Sequence, residues 1–169
     1  MWSLPVQTLV PVDEVAAKTQ DVYGTLYEAN TVVGKALAIL LTHDEVANLL
    51  IWQRHVFAIG HEFSSGAPFG SGGELEWLSA HVKRLQVTVP LAQFILPNGT
   101  QAACELRHAA AVLQRASREI YRLSRMRPVG SVSVSYVDLS SAYLFYLSLV
   151  INEEAGFNEI PAHSAPIPE

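Results

Sequence analysis

The sequence predicts an all-α protein, a bundle of five helices. Three observations carry this. Apolar residues recur at helical spacing through most of the chain. Capping residues precede the periodic stretches at Asp13, Thr42, Ser71 and Thr100. Gly- and Pro-rich segments separate those stretches, and the one extended segment has no evident partner strand.

Asp13 is placed to cap a first helix running through "EVAAKTQDVYGTLYEANTVVGKALAILL" to Leu41. Gly24 and Gly34 weaken that helix and suggest close helix contact. Thr42 and Glu45 form a capping-box pattern for a second helix that reaches about Phe63. "SSGAPFGSGG" breaks the chain, and Ser71 with Glu74 repeats the capping pattern for a third helix to about Leu85. "VTVPLAQFILPNGT" holds two prolines and an Asn-Gly turn signal, so it reads as an extended connector. Thr100 caps a fourth helix from Gln101 to about Met126, ended by Pro128 and Gly130. The fifth runs from about Ser135 to Ala155, and "GFNEIPAHSAPIPE" is a loose tail or an extended arm.

A chain of 169 residues, half of them hydrophobic, suits one globular domain with a sizeable core. The expected organisation is a single helical domain over 1–169, with an N-terminal arm at 1–12 and a Pro-rich tail at 156–169. A net charge of −5 argues against broad binding to nucleic acid or an anionic membrane. Cys104 is the one cysteine, so no intrachain disulfide forms, which fits a cytoplasmic protein. The N-terminus lacks a basic region followed by an apolar run, so no signal peptide is expected. The longest apolar run, "AYLFYLSLVI", reads as a buried helix face rather than a membrane span.

Basic residues concentrate in "LRHAAAVLQRASREIYRLSR". On a helical wheel Arg107, Arg115, Arg118, Arg122 and Arg125 fall within about 80° of one another. Ala109, Val112, Leu113, Ala116, Ile120 and Leu123 lie opposite, so the helix is strongly amphipathic. The stripe is either a solvated face, with Glu119 as an ion-pair partner, or a site facing an anion or another subunit. His61, beside Glu62, shares a wheel position with Leu50 and Phe57. It is either a satisfied buried histidine or an acid/base group in an apolar cleft. No His/Cys/Asp/Glu set has metal-ligand spacing, and no Gly-rich phosphate loop is present.

Four stretches together resemble one family. They are "YGTLYEAN" (Tyr23 to Asn30), "FAIGHEF" (Phe57 to Phe63), "FILPNGTQAACELRHAAAVLQRASRE" (Phe94 to Glu119) and "VSYVDLSSAYLFYLS" (Val134 to Ser148). In order and spacing they are similar to the trimeric five-helix ATP:cob(I)alamin adenosyltransferases of the propanediol-utilisation type. The resemblance covers about Val22 to Ala155 and is most specific at "FILPNGT". It implies a cobalamin adenosyltransferase-like bundle, a homotrimer, and clefts between subunits where ATP and corrinoid meet.

Departures from the family pattern are also legible. The family's Thr-Lys-Thr-Gly-Asp-x-Gly segment, which wraps the ATP phosphates, has no counterpart before Gly24. Tyr27 replaces an aspartate, while Glu28 and Asn30 remain. On the fourth helix Arg107 replaces a histidine, Ala110 and Gln114 replace arginines, and Ser117 replaces a glutamate; Arg115 and Arg118 match. On the fifth helix the family's Asn-Arg-Leu-Ser-Asp reads Asp138, Leu139, Ser140, Ser141, Ala142. Positions 107, 110, 114 and 117 form one helical stripe, and three of them have become small or neutral. Adenosyl transfer from ATP needs cations for the triphosphate leaving group.

The expectation is therefore a divergent member with a degenerate active site. It has lost ATP-dependent transfer, and its intersubunit cleft is repurposed to bind, and in an enzymatic version transform, another small molecule. The acid/base candidates are Glu28, His61, Glu62 and Asp138. The ligand-binding candidates are Tyr23, Tyr27, Asn30, Arg107, Ala110, Gln114, Ser117, Arg118, Tyr136, Ala142 and Tyr143. No cofactor is required on this reading, a corrinoid stays open as a ligand, and ATP is not expected. Two alternatives remain: a non-catalytic corrinoid- or partner-binding protein, and an active corrinoid adenosyltransferase.

Overall fold

The computed structural model describes residues 13–91 and 93–163. The arm expected at 1–12 and the end of the tail lie outside the described residues. Five helices follow in order: α1 (Glu14–Ile39), α2 (Val46–Ser65), α3 (Gly73–Thr88), α4 (Gln101–Ser124) and α5 (Ser131–Glu154).

The helix ends show which capping signals act. Asp13 Oδ1 accepts from Ala16 N–H at 2.7 Å, and Thr100 Oγ1 accepts from Ala103 N–H at 3.3 Å, as the sequence suggested. The Thr42–Glu45 box does not form. Residues 40–45 instead make a tight turn, with His43 N–H bonded to Leu40 O and Val46 N–H to His43 O. The Glu45 carboxylate turns inward to Asn48, Arg84 and Tyr143. At α3 the cap is Gly72 rather than Ser71, but Glu74 Oε2 still reaches back to Ser71 N–H at 3.2 Å.

Helix α5 begins four residues before the expected Ser135. Glu62 at the end of α2 organises this start. Its carboxylate accepts from Gly130 N–H (3.1 Å), Ser133 Oγ (2.7 Å) and Phe69 N–H (2.6 Å). A Cβ at position 130 would lie 2.3 Å from Glu62 Oε1, so any larger residue there would displace the carboxylate from these donors.

In cross-section the bundle runs α2–α1–α4–α5–α3. Trp52 of α2 donates to Ser140 Oγ of α5 at 2.8 Å, linking two helices that are not neighbours in that series. One hydrophobic core runs through all five helices. Helix α4 buries Ala102, Ala103, Leu106, Ala109, Ala110, Leu113 and Ala116 against α1 and α5. Its alanines let the neighbours approach closely. Gly24 and Gly34 serve no such contact; a Cβ would meet nothing within 4 Å at Gly24 and only Gln53 Nε2 at 3.9 Å at Gly34. Helix α5 is long and apolar enough to pass as a membrane span by length and composition, but 61% of its apolar window is buried in the bundle. The sequence therefore understated its apolar length, because serines interrupt the run and pack inside as Ser133, Ser140 and Ser148.

The tail is an extended arm over residues 157–161 that ends in a turn at 162–163. Leu96 N–H donates to Ile160 O at 2.8 Å, and Ala162 N–H to Phe94 O at 2.9 Å. Ile95 and Pro161 thereby form an isolated antiparallel bridge. The connector does have an extended partner, and it is the tail.

Candidate functional site

Helices α4 and α5 leave an open groove of about 530 Å³ between their outer faces. From α4 come Gln114, Ser117 and Arg118; from α5 come Asp138, Ser141, Ala142, Phe145 and Tyr146. The spacing explains the set. Residues three and four apart share a helix face, so 114, 117 and 118 align, as do 138, 141, 142 and 145. Five sequence candidates thus converge: Gln114, Ser117, Arg118, Asp138 and Ala142. Ser141, Phe145 and Tyr146 escaped the sequence reading, although stepping from Asp138 by helical spacing reaches the first two. Arg118 is exposed, with no hydrogen bond or ion pair among the described residues. Its guanidinium is free to bind an anion bidentately.

A second recess, about 160 Å³, adjoins this groove and shares Gln114 and Phe145 with it. Ile95 and Pro97 of the connector form one wall; Arg107, Ala110 and Ala111 complete the lining. Arg107 is not displayed as a free cation. Its side chain is 6% exposed and ion-paired to Glu159, and it donates to Ser148 Oγ, Leu96 O and Asn98 O. The helical wheel placed it correctly beside Arg118, but a wheel does not show that the tail supplies a carboxylate there.

Tyr23, Tyr27 and Asn30 line a shallow recess between α1 and α2, with Phe57 and Gly60. This recess is separate from the α4/α5 groove. Asn30 also ties the two helices, its Nδ2 donating to Gln53 O while Gln53 Nε2 donates to Asn30 O, both at 3.0 Å. Glu28 pairs with Arg115 of α4, whose Nε lies 3.9 Å from Glu119.

Four candidates sit differently from expectation. His61 is exposed; the wheel grouped it correctly with Leu50 and Phe57, but that face itself is open to solvent. Glu62 is saturated by three donors that hold the α3 loop and the start of α5. Tyr136 and Tyr143 are fully buried rather than cleft-lining. Tyr136 OH meets His55 Nδ1 at 2.8 Å, and Tyr143 OH donates to Glu45 Oε2 at 3.3 Å. Burial pushes both phenols well above their usual range.

The two tyrosines belong to a buried polar–aromatic layer between α2, α3 and α5 that sequence reasoning missed. His55 packs edge-on against Phe69, Trp77 and Tyr136. Burial holds its pKa below the ordinary value, partly opposed by Glu74. Burial works to raise the Glu45 pKa, but Asn48 and the Arg84 guanidinium more than offset it and keep the carboxyl low. Among the described residues, no group of three His, Cys, Asp or Glu side chains is placed to hold a metal.

Residues 13–151 match the family model described as cobalamin adenosyltransferase. The chain is 26% identical over 147 residues to a corrinoid adenosyltransferase of Bacillus subtilis, covering 82% of this chain and 76% of that one. It is 28% identical over 140 residues to a cobalamin adenosyltransferase of Cupriavidus metallidurans, covering 81% and 76%. The fold matches a variant PduO-type ATP:corrinoid adenosyltransferase from Lactobacillus reuteri, complexed with cobalamin and ATP. The TM-score there is 0.79 at 22% identity, covering 88% of this chain and 86% of that one. These findings overturn two expectations: that the cleft is repurposed with adenosyl transfer lost, and that ATP is not a substrate. Both rested on the missing arginines at 110 and 114 and on the absence of the phosphate-wrapping segment before Gly24, and such departures from a motif are weaker ground than the named activities of relatives. With the family pattern matched from residue 13 to residue 151, the chain belongs to the cobalamin adenosyltransferase family.

Proposed function

We propose that this protein is a corrinoid adenosyltransferase that uses ATP and a reduced corrinoid as substrates. The observation that carries the reading is the α4/α5 groove, built inside the matched region, with Arg118 free of internal partners. In the reaction cobalt(I) attacks C5′ of ATP, a cobalt–carbon bond forms, and the C5′–oxygen bond breaks. Triphosphate departs with the electron pair. Arg118 would hold that leaving group by charge-assisted hydrogen bonds, with Gln114 and Ser117 as neutral donors beside it. Asp138, on the facing helix, would position a sugar hydroxyl or a corrinoid amide rather than phosphate, which it repels.

The site is completed between subunits of a homotrimer in this reading. Tyr27 (58% exposed), Phe57 (55%) and Leu50 (42%) leave an apolar surface across α1 and α2, which supports an interface. The protein would act as a single-domain cytoplasmic enzyme. Anaerobic incubation with reduced cobalamin and ATP tests the reading, with adenosylcobalamin followed by its visible spectrum. Product from this chain, reduced about tenfold or more by Arg118→Ala, is expected. Cobalamin binding with no product, where a related enzyme succeeds, would overturn it.

A further inference from the structure

We propose that the tail segment 157–163 is a strap that positions the connector wall of the recess, with Glu159 as the positioning residue acting through Arg107. The inference rests on the corrinoid adenosyltransferase reading and names a residue in the tail, outside the matched region, on which corrinoid affinity depends. Arg107 is the hub. Its buried guanidinium joins α5 (Ser148 Oγ, 3.0 Å), the connector (Leu96 O, 3.1 Å; Asn98 O, 2.8 Å) and the Glu159 carboxylate. Its Cζ also lies 6.0 Å from the centre of the Phe145 ring, which lines both recess and groove. A buried cation needs a paired anion, and Glu159 supplies the one carboxylate bonded to it among the described residues.

Asn152 makes the second half of the clasp. Its Nδ2 donates to Glu159 Oε1 (2.8 Å) and Asn98 O (3.2 Å), and its Oδ1 accepts from Thr100 N–H (3.0 Å). Gly99, at φ +128°, leaves no room for a side chain; a Cβ would lie 2.2 Å from Asn152 Nδ2. The clasp therefore grips the connector, the first turn of α4 and the tail at one point. Two main-chain hydrogen bonds, Leu96 to Ile160 and Ala162 to Phe94, extend the grip along the strap.

The connector has little packing of its own. Phe94 is 81% exposed and Leu96 44%, and a two-stranded pairing this short is marginal in isolation. The strap thus holds the wall residues Ile95 and Pro97 against Ala110, Ala111 and Phe145. Those five residues make an apolar recess, and Arg107 is neutralised inside the fold, so the recess suits a corrin face rather than a triphosphate.

Full-length Glu159→Ala and Glu159→Gln test this, with hydroxocobalamin and ATP as separate binding probes and hydrogen exchange read by residue. In Glu159→Ala, the Leu96 and Ala162 amides should exchange about tenfold faster, with α1–α3 amides unchanged. Hydroxocobalamin affinity should fall about fivefold or more while ATP affinity holds, and Glu159→Gln, which keeps one acceptor oxygen, should recover part of both losses. Unchanged Leu96 exchange, or unchanged hydroxocobalamin affinity, in Glu159→Ala would overturn the strap. If the wild-type chain binds no hydroxocobalamin, the corrinoid reading falls, and the exchange result alone decides whether the clasp positions the connector.

Discussion

Arg118 and Gln114 stand one helical turn apart on the groove wall, one cationic and one neutral. The resembling family keeps an arginine where this chain has Gln114, so under the proposed function the triphosphate would have one bidentate partner fewer here. Gln114→Arg should lower the KM for ATP about tenfold, because an exposed helix position accepts the longer side chain and adds a charge-assisted bond. Steady-state kinetics with ATP varied at saturating cob(I)alamin would read it; an unchanged KM would show that position 114 does not face phosphate. The convergence of Gln114, Ser117, Arg118 and Asp138 was legible, since it follows from helical spacing on two adjacent helices. Arg107 was not. Its partner Glu159 lies 52 residues away in a tail with no periodicity, and no local pattern announces such a pair. Tyr136 and Tyr143 were misplaced because burial depends on which helices pack on α5, and that lies beyond any one helix's pattern.

Among the elements, α4 and α5 depend on two different devices. Helix α4 starts at a side-chain cap, and Thr100→Ala should cost about 1 kcal/mol in urea unfolding. Helix α5 starts on Glu62, three donors of which would be left without an acceptor in Glu62→Ala; a loss of about 1–3 kcal/mol is expected. A loss below that range would mean water substitutes for the carboxylate. The Thr100 and Asp13 caps were legible because each directly precedes a long apolar-periodic stretch. The Thr42 box failed for a tertiary reason. Arg84 and Tyr143, from α3 and α5, compete for the Glu45 carboxylate that would have closed it. The connector and tail looked unstructured singly because each is the other's only extended partner among the described residues.

For the whole molecule, the buried layer around His55 links stability to pH. Its folded pKa lies below the ordinary value of 6.5, so the unfolded chain takes up the proton first. Stability is therefore greatest above about 6.5 and falls as pH drops through the folded pKa. Glu45, also held below its ordinary 4.5, adds a further loss only at more acid pH. The thermal midpoint should fall between about pH 7 and pH 5, and His55→Gln should flatten that slope; equal slopes would remove His55 as the cause. The same bundle carries the central claim, that a groove with fewer cations than the family pattern still transfers adenosyl groups. The most direct measurement is anaerobic formation of adenosylcobalamin from cob(I)alamin and ATP by the full chain. ATP-dependent appearance of adenosylcobalamin, diminished by Arg118→Ala, is the predicted result. No product at saturating ATP and corrinoid, in a reaction where a related adenosyltransferase turns over, would contradict it.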